Sequence, residues 1–413
     1  MIDRYLQVNS IKEDNEYNQK MIDLMKYIAA IMVICIHCNH LFSHEFLDFF
    51  VRQIICRIAV PFFFISSAYF VRKRSVKDDM YVKTYLKKFI KSYFLWSLVF
   101  IPIGLDWIHQ NLNLAGYLLP FALIYGFIHI GTYYHLWYIP AVILTTFLID
   151  KLLKRYSYKI LFIISAILFI FGSIESYYGI LSNGWFKDFF DLLISIIFTT
   201  RSGLLYGMIF TLIGYYIYDY RDLLKSLQKY IIILTLFFAS LLILEGVFLY
   251  NIVSLDMNFL LMLVPFSFFF FLSILFFPYT PKHDTKKVRE LSKYYYFIHP
   301  VCIVIIEEIG FAFHLNILSS GLISLLLIVL LTHLLSSMVI KIKSSLKVSF
   351  VILASLFGML ITFIIAGLLF FAKSSDVIIK FEFVPCLWFY FSFLMYYLLY
   401  KRFSIINSLK NKN

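Results

Sequence analysis

The chain's 413 residues are 62% hydrophobic and 20% aromatic, and only 15% are charged. A soluble domain is about 45–50% apolar and about 25% charged, so this balance excludes an ordinary water-soluble fold and predicts a polytopic membrane protein. The net charge of +13 comes from Lys and Arg clustered in short loops, which excludes a nucleic-acid surface and points to membrane orientation and contact with anionic lipids.

Residues 1–20 are polar and read as a short cytoplasmic tail. Apolar runs then predict membrane spans at about 21–41, 54–71, 88–105, 134–150, 159–177, 202–218, 230–250, 258–277, 294–313, 319–340, 348–372 and 381–400, each near the ~20 residues a bilayer requires. The expected fold class is therefore all-α, a polytopic helix bundle with about twelve transmembrane helices. The first run is too long, and too interrupted by polar residues, for a cleavable signal. Residues 113–130 are apolar, but a further span there would invert every later loop, so they are expected to form a re-entrant or interfacial helix kinked at Pro120. Cys35, Cys38, Cys56, Cys302 and Cys386 lie in or near apolar runs and imply no disulfide framework.

Loop charge orients the set. Lys and Arg crowd 71–91, 151–159, 282–293, 341–347 and the last residues, whereas the alternating loops near 42–53, 106–133, 178–201, 251–257 and 314–318 are poor in them. The positive-inside rule places both termini in the cytoplasm and the protein in the cell membrane as a multi-pass chain.

Span 1 carries Lys26 and His37. Their eleven-residue step rotates by about 20° and rises about 16 Å, so both lie on one stripe, about half a bilayer apart. An ionisable group inside a span is costly and is a candidate functional residue. His40 and His44 follow on nearly the same face and read as the wet end of the helix; no pattern of Cys or carboxylates makes a metal site, and none is expected. In span 2, Arg57 sits at a depth similar to His37, while Ser66 and Ser67 are small polar residues suited to close helix packing. Lys88 and Lys91 share one face at the cytoplasmic start of span 3, an arrangement that holds phosphates or simply obeys the charge rule. His135 and Trp137 are expected in the outer interfacial belt. His299 is expected a turn or two inside the cytoplasmic face of span 9, beside Pro300, with Glu307 and Glu308 farther out, where one would pair with Arg57 or Arg201 or contact an acceptor. Glu245 and His333 read as structural polar contacts.

Five of these stretches, in this order, resemble the acyltransferase-3 (O-acyltransferase) membrane family over nearly all of residues 20–340: Lys26-x10-His37, VPFFFISSAYF (60–70), Lys88-x-x-Lys91, HLWYI (135–139) and YFIHP (296–300). Ser67 stands where the family has Gly, and lysines replace arginines at the basic pair. The resemblance implies a core of about ten helices over 21–341, followed over 342–413 by two extra transmembrane helices and a short cytoplasmic tail. It also implies transfer of an acyl group, typically acetyl from acetyl-CoA, to a hydroxyl on an extracytoplasmic glycan or lipid-linked sugar. On that reading Lys88, Lys91, Lys26 and His299 hold the donor, His37 is either general base or acylated nucleophile, and Arg57 stabilises the oxyanion. The RIAVPFFFISSAYF stretch also resembles the membrane half of vancomycin-resistance serine racemases, without a soluble racemase domain in this sequence. That likeness implies the alternative, a transporter of a small amino acid such as serine.

Overall fold

The computed structural model describes residues 18–112 and 118–342, with isolated positions between 358 and 398. The expected spans at about 348–372 and 381–400 fall in large part outside the described residues, as do most of the N-terminal tail and the start of the expected re-entrant segment. Among the described residues all regular structure is helical. The principal helices are α1 (Gln19–His37), α2 (Glu45–Ser75), α3 (Tyr81–Leu112), α4 (Leu119–His129), α5 (Tyr138–Leu152) and α6 (Tyr158–Ser173). They continue with α7 (Trp185–Ile197), α8 (Met208–Asp219), α9 (Gln228–Leu249), α10 (Leu263–Leu275), α11 (Lys286–Ala312) and α12 (Gly321–Ile342). Four of the described helices, α2, α9, α11 and α12, are long and apolar enough to cross a membrane, and α4, α6 and α10 hold shorter apolar stretches. These helices support a helical membrane protein; the count of about twelve spans remains an expectation from hydropathy.

The chain divides into two compact units. One comprises Met1–Met32, Phe49–Leu98 and Tyr125–Lys286; the other comprises Val33–Asp48, Val99–Ile124 and Lys287–Asn413.

In the first unit, α8 is the buried centre. Its Met208, Leu212 and Tyr215 pack with Ala68 and Val71 of α2, Val82 of α3, Ile149 of α5 and Leu161 of α6. The α2–α8 approach depends on Gly214, because a Cβ there would collide with the Ile65 carbonyl oxygen and sit 2.6 Å from the Ala68 Cβ. Small residues permit such contact, and apolar lipid tails do not compete for it. At one end of this pair, Arg72 Nε and Nη2 donate to Asp219 at 2.8 and 2.9 Å, and the Tyr158 hydroxyl donates to the same carboxylate at 2.6 Å. Burial makes the clamp costly to break by halves.

Two departures from the sequence-based boundaries matter. Helix α2 begins at Glu45, well before the expected span, and passes through a π segment (Phe50–Ile55) and a 3-10 turn (Cys56–Ile58) before its regular course from Ala59. Such irregular turns rotate the helix face and often mark functional positions; Arg57 sits in one. Helix α7 occupies what reads as an extracytoplasmic loop. It exposes Trp185, Phe189, Leu192 and Ile196 along one stripe, the pattern of a helix lying in the membrane interface. Its opposite side anchors through buried Phe190, which packs on the rings of Phe171 and Tyr178.

In the second unit, the chain leaving α1 is tied to α11 and α12. Asn39 Nδ2 donates to Glu307 Oε1 at 2.9 Å and to the Ser319 carbonyl at 3.1 Å, and the Gly321 N–H donates to the His40 carbonyl at 2.6 Å. Gly321 has φ +90°, a conformation that favours glycine. The Tyr295 hydroxyl meets His333 Nδ1 at 2.8 Å and joins α11 to α12.

Candidate functional site

His37 is the last residue of α1. Beyond it the buried Asp48 carboxylate accepts from the Leu41 N–H at 2.6 Å and the Phe42 N–H at 3.4 Å, donors that a continued helix would spend on its own carbonyls. The same carboxylate holds His40 Nδ1 at 3.2 Å, while His44 Nδ1 accepts from the Leu47 N–H. His40 and His44 are thus turn-forming groups at the wet end of the helix, as their sequence position suggested.

His37 itself stacks on His299, with ring centroids 5.5 Å apart and planes inclined by 21°. The sequence reading set His299 near the cytoplasmic rim, well below His37. Helix α11 instead starts at Lys286 rather than near 294, so His299 stands close to its middle, at the level of His37. His299 is fully buried, and its Nδ1 lies 2.9 Å from the Tyr295 carbonyl. A carbonyl oxygen only accepts, so Nδ1 carries a proton. Pro300 follows in the helix and removes the N–H that would bond the Tyr296 carbonyl.

In the other unit, Arg57 donates through Nε to Gln53 Oε1 at 3.0 Å and through Nη2 to the same oxygen, while Nη1 donates to Asn258 Oδ1. Asp256 lies 4.0 Å from Arg57 and 3.5 Å from Arg201. The Arg201 guanidinium carbon rests 5.3 Å above the Trp137 ring, and Trp137 packs edge-on to Tyr206 at 5.6 Å. Trp137 and His135 are therefore buried rather than in a lipid-facing belt. Tyr138 turns to α2, where its hydroxyl meets Ser67 Oγ at 3.3 Å and its ring meets Phe64 at 4.7 Å. The HLWYI and VPFFFISSAYF stretches thus pack on each other, and HLWYI also carries Arg201 on Trp137. Ser66 bonds back to the Phe63 carbonyl, a packing role.

The remaining expected residues are placed as follows. Lys26 is half-buried, its Nζ 4.8 Å from the Phe70 ring centroid. Lys88 and Lys91 are exposed on α3, in a row with exposed Lys83 and Lys87. Clustered ammonium groups of this kind favour phosphates. Glu307 receives Asn39, whereas Arg57 and Arg201 turn to Asp256. Glu245 accepts from the Tyr177 hydroxyl and from the Leu261 and Met262 N–H groups, fixing the entry to α10.

Sequence reasoning missed Asp256 and Asn258, and gave Arg201 no place of its own. The available signal was weak but real. Arg201 is one of only two cations, with Lys187, in a loop that the charge rule leaves poor in them, so it needs a reason to be there.

The Acyl_transf_3 family model, described as an acyltransferase domain, matches residues 20–342. An amino-acid racemase of Enterococcus faecalis is 30% identical over 339 residues, which cover 79% of this chain and 47% of the relative. A serine/alanine racemase of Enterococcus gallinarum is 29% identical over 325 residues, 76% of this chain and 45% of the relative. The chain thus spans about half the length of these curated relatives. No solved structure matches it significantly.

Proposed function

Because the chain belongs to the Acyl_transf_3 acyltransferase-domain family, we propose that it is a membrane acyltransferase that passes an acyl group, typically acetyl, from cytoplasmic acyl-CoA to a hydroxyl of an extracytoplasmic glycan or lipid-linked sugar. The observation that carries this reading is the His37–His299 stack, which joins the first motif of the family to its last. His37 takes the proton from the acceptor hydroxyl, and the oxygen attacks the thioester carbonyl. The C–S bond breaks, and the CoA thiolate leaves with the proton returned by His37. The alternative order, acyl transfer first to His37 and then to the hydroxyl, uses the same residue as nucleophile. His299, oriented by the Tyr295 carbonyl, fixes the His37 ring through the stack, a role that replaces its expected part in donor binding. Lys88, Lys91 and Lys26 hold the CoA phosphates.

A second reading comes from the relatives whose names give action on amino acids: transport of a small amino acid such as serine. Labelled acetyl-CoA offered to the purified protein in detergent separates the two. Thioester cleavage or self-acylation that disappears in His37→Ala supports the acyltransferase. Full chemistry in that variant sinks the role of His37, and serine flux into proteoliposomes with no acyl chemistry supports the transporter.

A further inference from the structure

We propose that Arg201, together with Arg57 and Asn258, forms a binding site for a carboxylate group of the substrate. The inference rests on the proposed function only in naming that substrate as the acyl acceptor; the anion site itself follows from local chemistry.

Among the described residues, two guanidinium groups share one acidic partner, Asp256, at 4.0 Å from Arg57 and 3.5 Å from Arg201. Charge-assisted N–H···O bonds are about 2.7–2.9 Å long, so Asp256 spreads its charge over both cations and satisfies neither. Glu175, the other carboxyl nearby, has its Oε2 taken by the Thr199 and Thr200 hydroxyls at 3.2 and 2.6 Å, and forms no ion pair with either arginine among the described residues. Within the Arg57–Arg201–Asp256 group two cations therefore meet one anion, which leaves one positive charge uncompensated by an ion pair among the described residues.

The unused hydrogen-bonding capacity is all of one kind. Arg201 Nε is buried and has no hydrogen-bond partner among the described residues, and the same holds for Asn258 Nδ2, whose Oδ1 is occupied by Arg57. Buried donors without acceptors are costly, and a charged one more so. What completes them is a group that only accepts and carries negative charge. A planar carboxylate matches the guanidinium fork. Trp137, 5.3 Å beneath Arg201, orients that fork by a cation–π contact. The carboxylate can belong to an acidic sugar of a glycan or to a free amino or hydroxy acid; the chemistry of capture is the same.

The test uses the full chain purified in detergent and measures binding by saturation-transfer NMR and thermal unfolding. The probes are methyl glucuronide against methyl glucoside, and serine against serinamide. We expect one acid of the two pairs to bind at least about tenfold more tightly than its uncharged-carboxyl counterpart, and which acid binds identifies the source. Arg201→Met should erase that preference, and Arg201→Lys should restore part of it. Equal binding of acid and counterpart in both pairs, or an unchanged preference in Arg201→Met, would overturn the site. If Arg201→Met does not fold, the wild-type comparison and Asn258→Leu decide alone. Carboxylate binding without acyl transfer would leave this site standing and remove the acyltransferase reading; transfer to an acceptor with no carboxylate preference would do the reverse.

Discussion

The rings of His37 and His299 stack at a centroid separation of 5.5 Å, one from the end of α1 and the other from the middle of α11. The contact makes one centre out of two stretches that lie far apart in the chain. It also explains the fully buried position of His299, whose Nδ1 is spent on the Tyr295 carbonyl while its face supports His37.

His299→Asn keeps a side-chain N–H donor near the Nδ1 position and loses the stacking ring. The protein should remain folded and monodisperse, while acyl transfer falls about 100-fold or more, the scale of a lost acid–base arrangement. Single-turnover transfer from labelled acyl-CoA checks it, and a rate within a few-fold of wild type would remove His299 from the reaction.

The lysine row on α3 should act through screened charge. Lys88→Ala and Lys91→Ala should raise the acyl-CoA KM several-fold with little change in kcat. The difference from wild type should be largest at low ionic strength, because salt already weakens exposed charges in the parent. A KM series across salt concentrations reads this directly.

The Arg72–Asp219–Tyr158 clamp should be structural. Asp219→Ala leaves a mostly buried guanidinium without its carboxylate and should cost about 3 kcal/mol or more. The double variant Arg72→Leu/Asp219→Leu should lose clearly less than the sum of its single changes. Thermal unfolding in detergent provides the cycle.

Gly214 should tolerate no side chain of size. Gly214→Val drives a branched group into the Ile65 carbonyl and the Ala68 Cβ, and overpacking of this kind costs about 1–3 kcal/mol or more. Reduced monodisperse yield on size exclusion is the expected result; wild-type yield and melting would show that α2 and α8 are not this close.

The exposed stripe of α7 should lie at lipid depth. Trp185 is 80% exposed, so brominated lipids in proteoliposomes should quench its emission, and Trp185→Phe should remove that share of the quenching. No difference between the two would place α7 in water.

The sequence by itself determined the class of the molecule. Apolar runs and the distribution of Lys and Arg are local properties, so helices, loops and the candidate residues His37, Arg57, Lys88 and Lys91 could be read without a fold. It also carried enough of the family motifs to identify the acyltransferase-domain match. It misplaced the start of α11, because the polar turn from Lys286 to Lys293 has no hydropathy signal, and with it the depth of His299. It passed over α7, whose short amphipathic stripe averages out across a membrane-length window. Only the tertiary structure decided that His299 meets His37, that Trp137 carries Arg201, and that Asp256 and Asn258 gather two arginines. Those pairings depend on the rotation and register of whole helices, which are set by close contacts such as Gly214 against Ile65, and no periodicity within one helix contains that information.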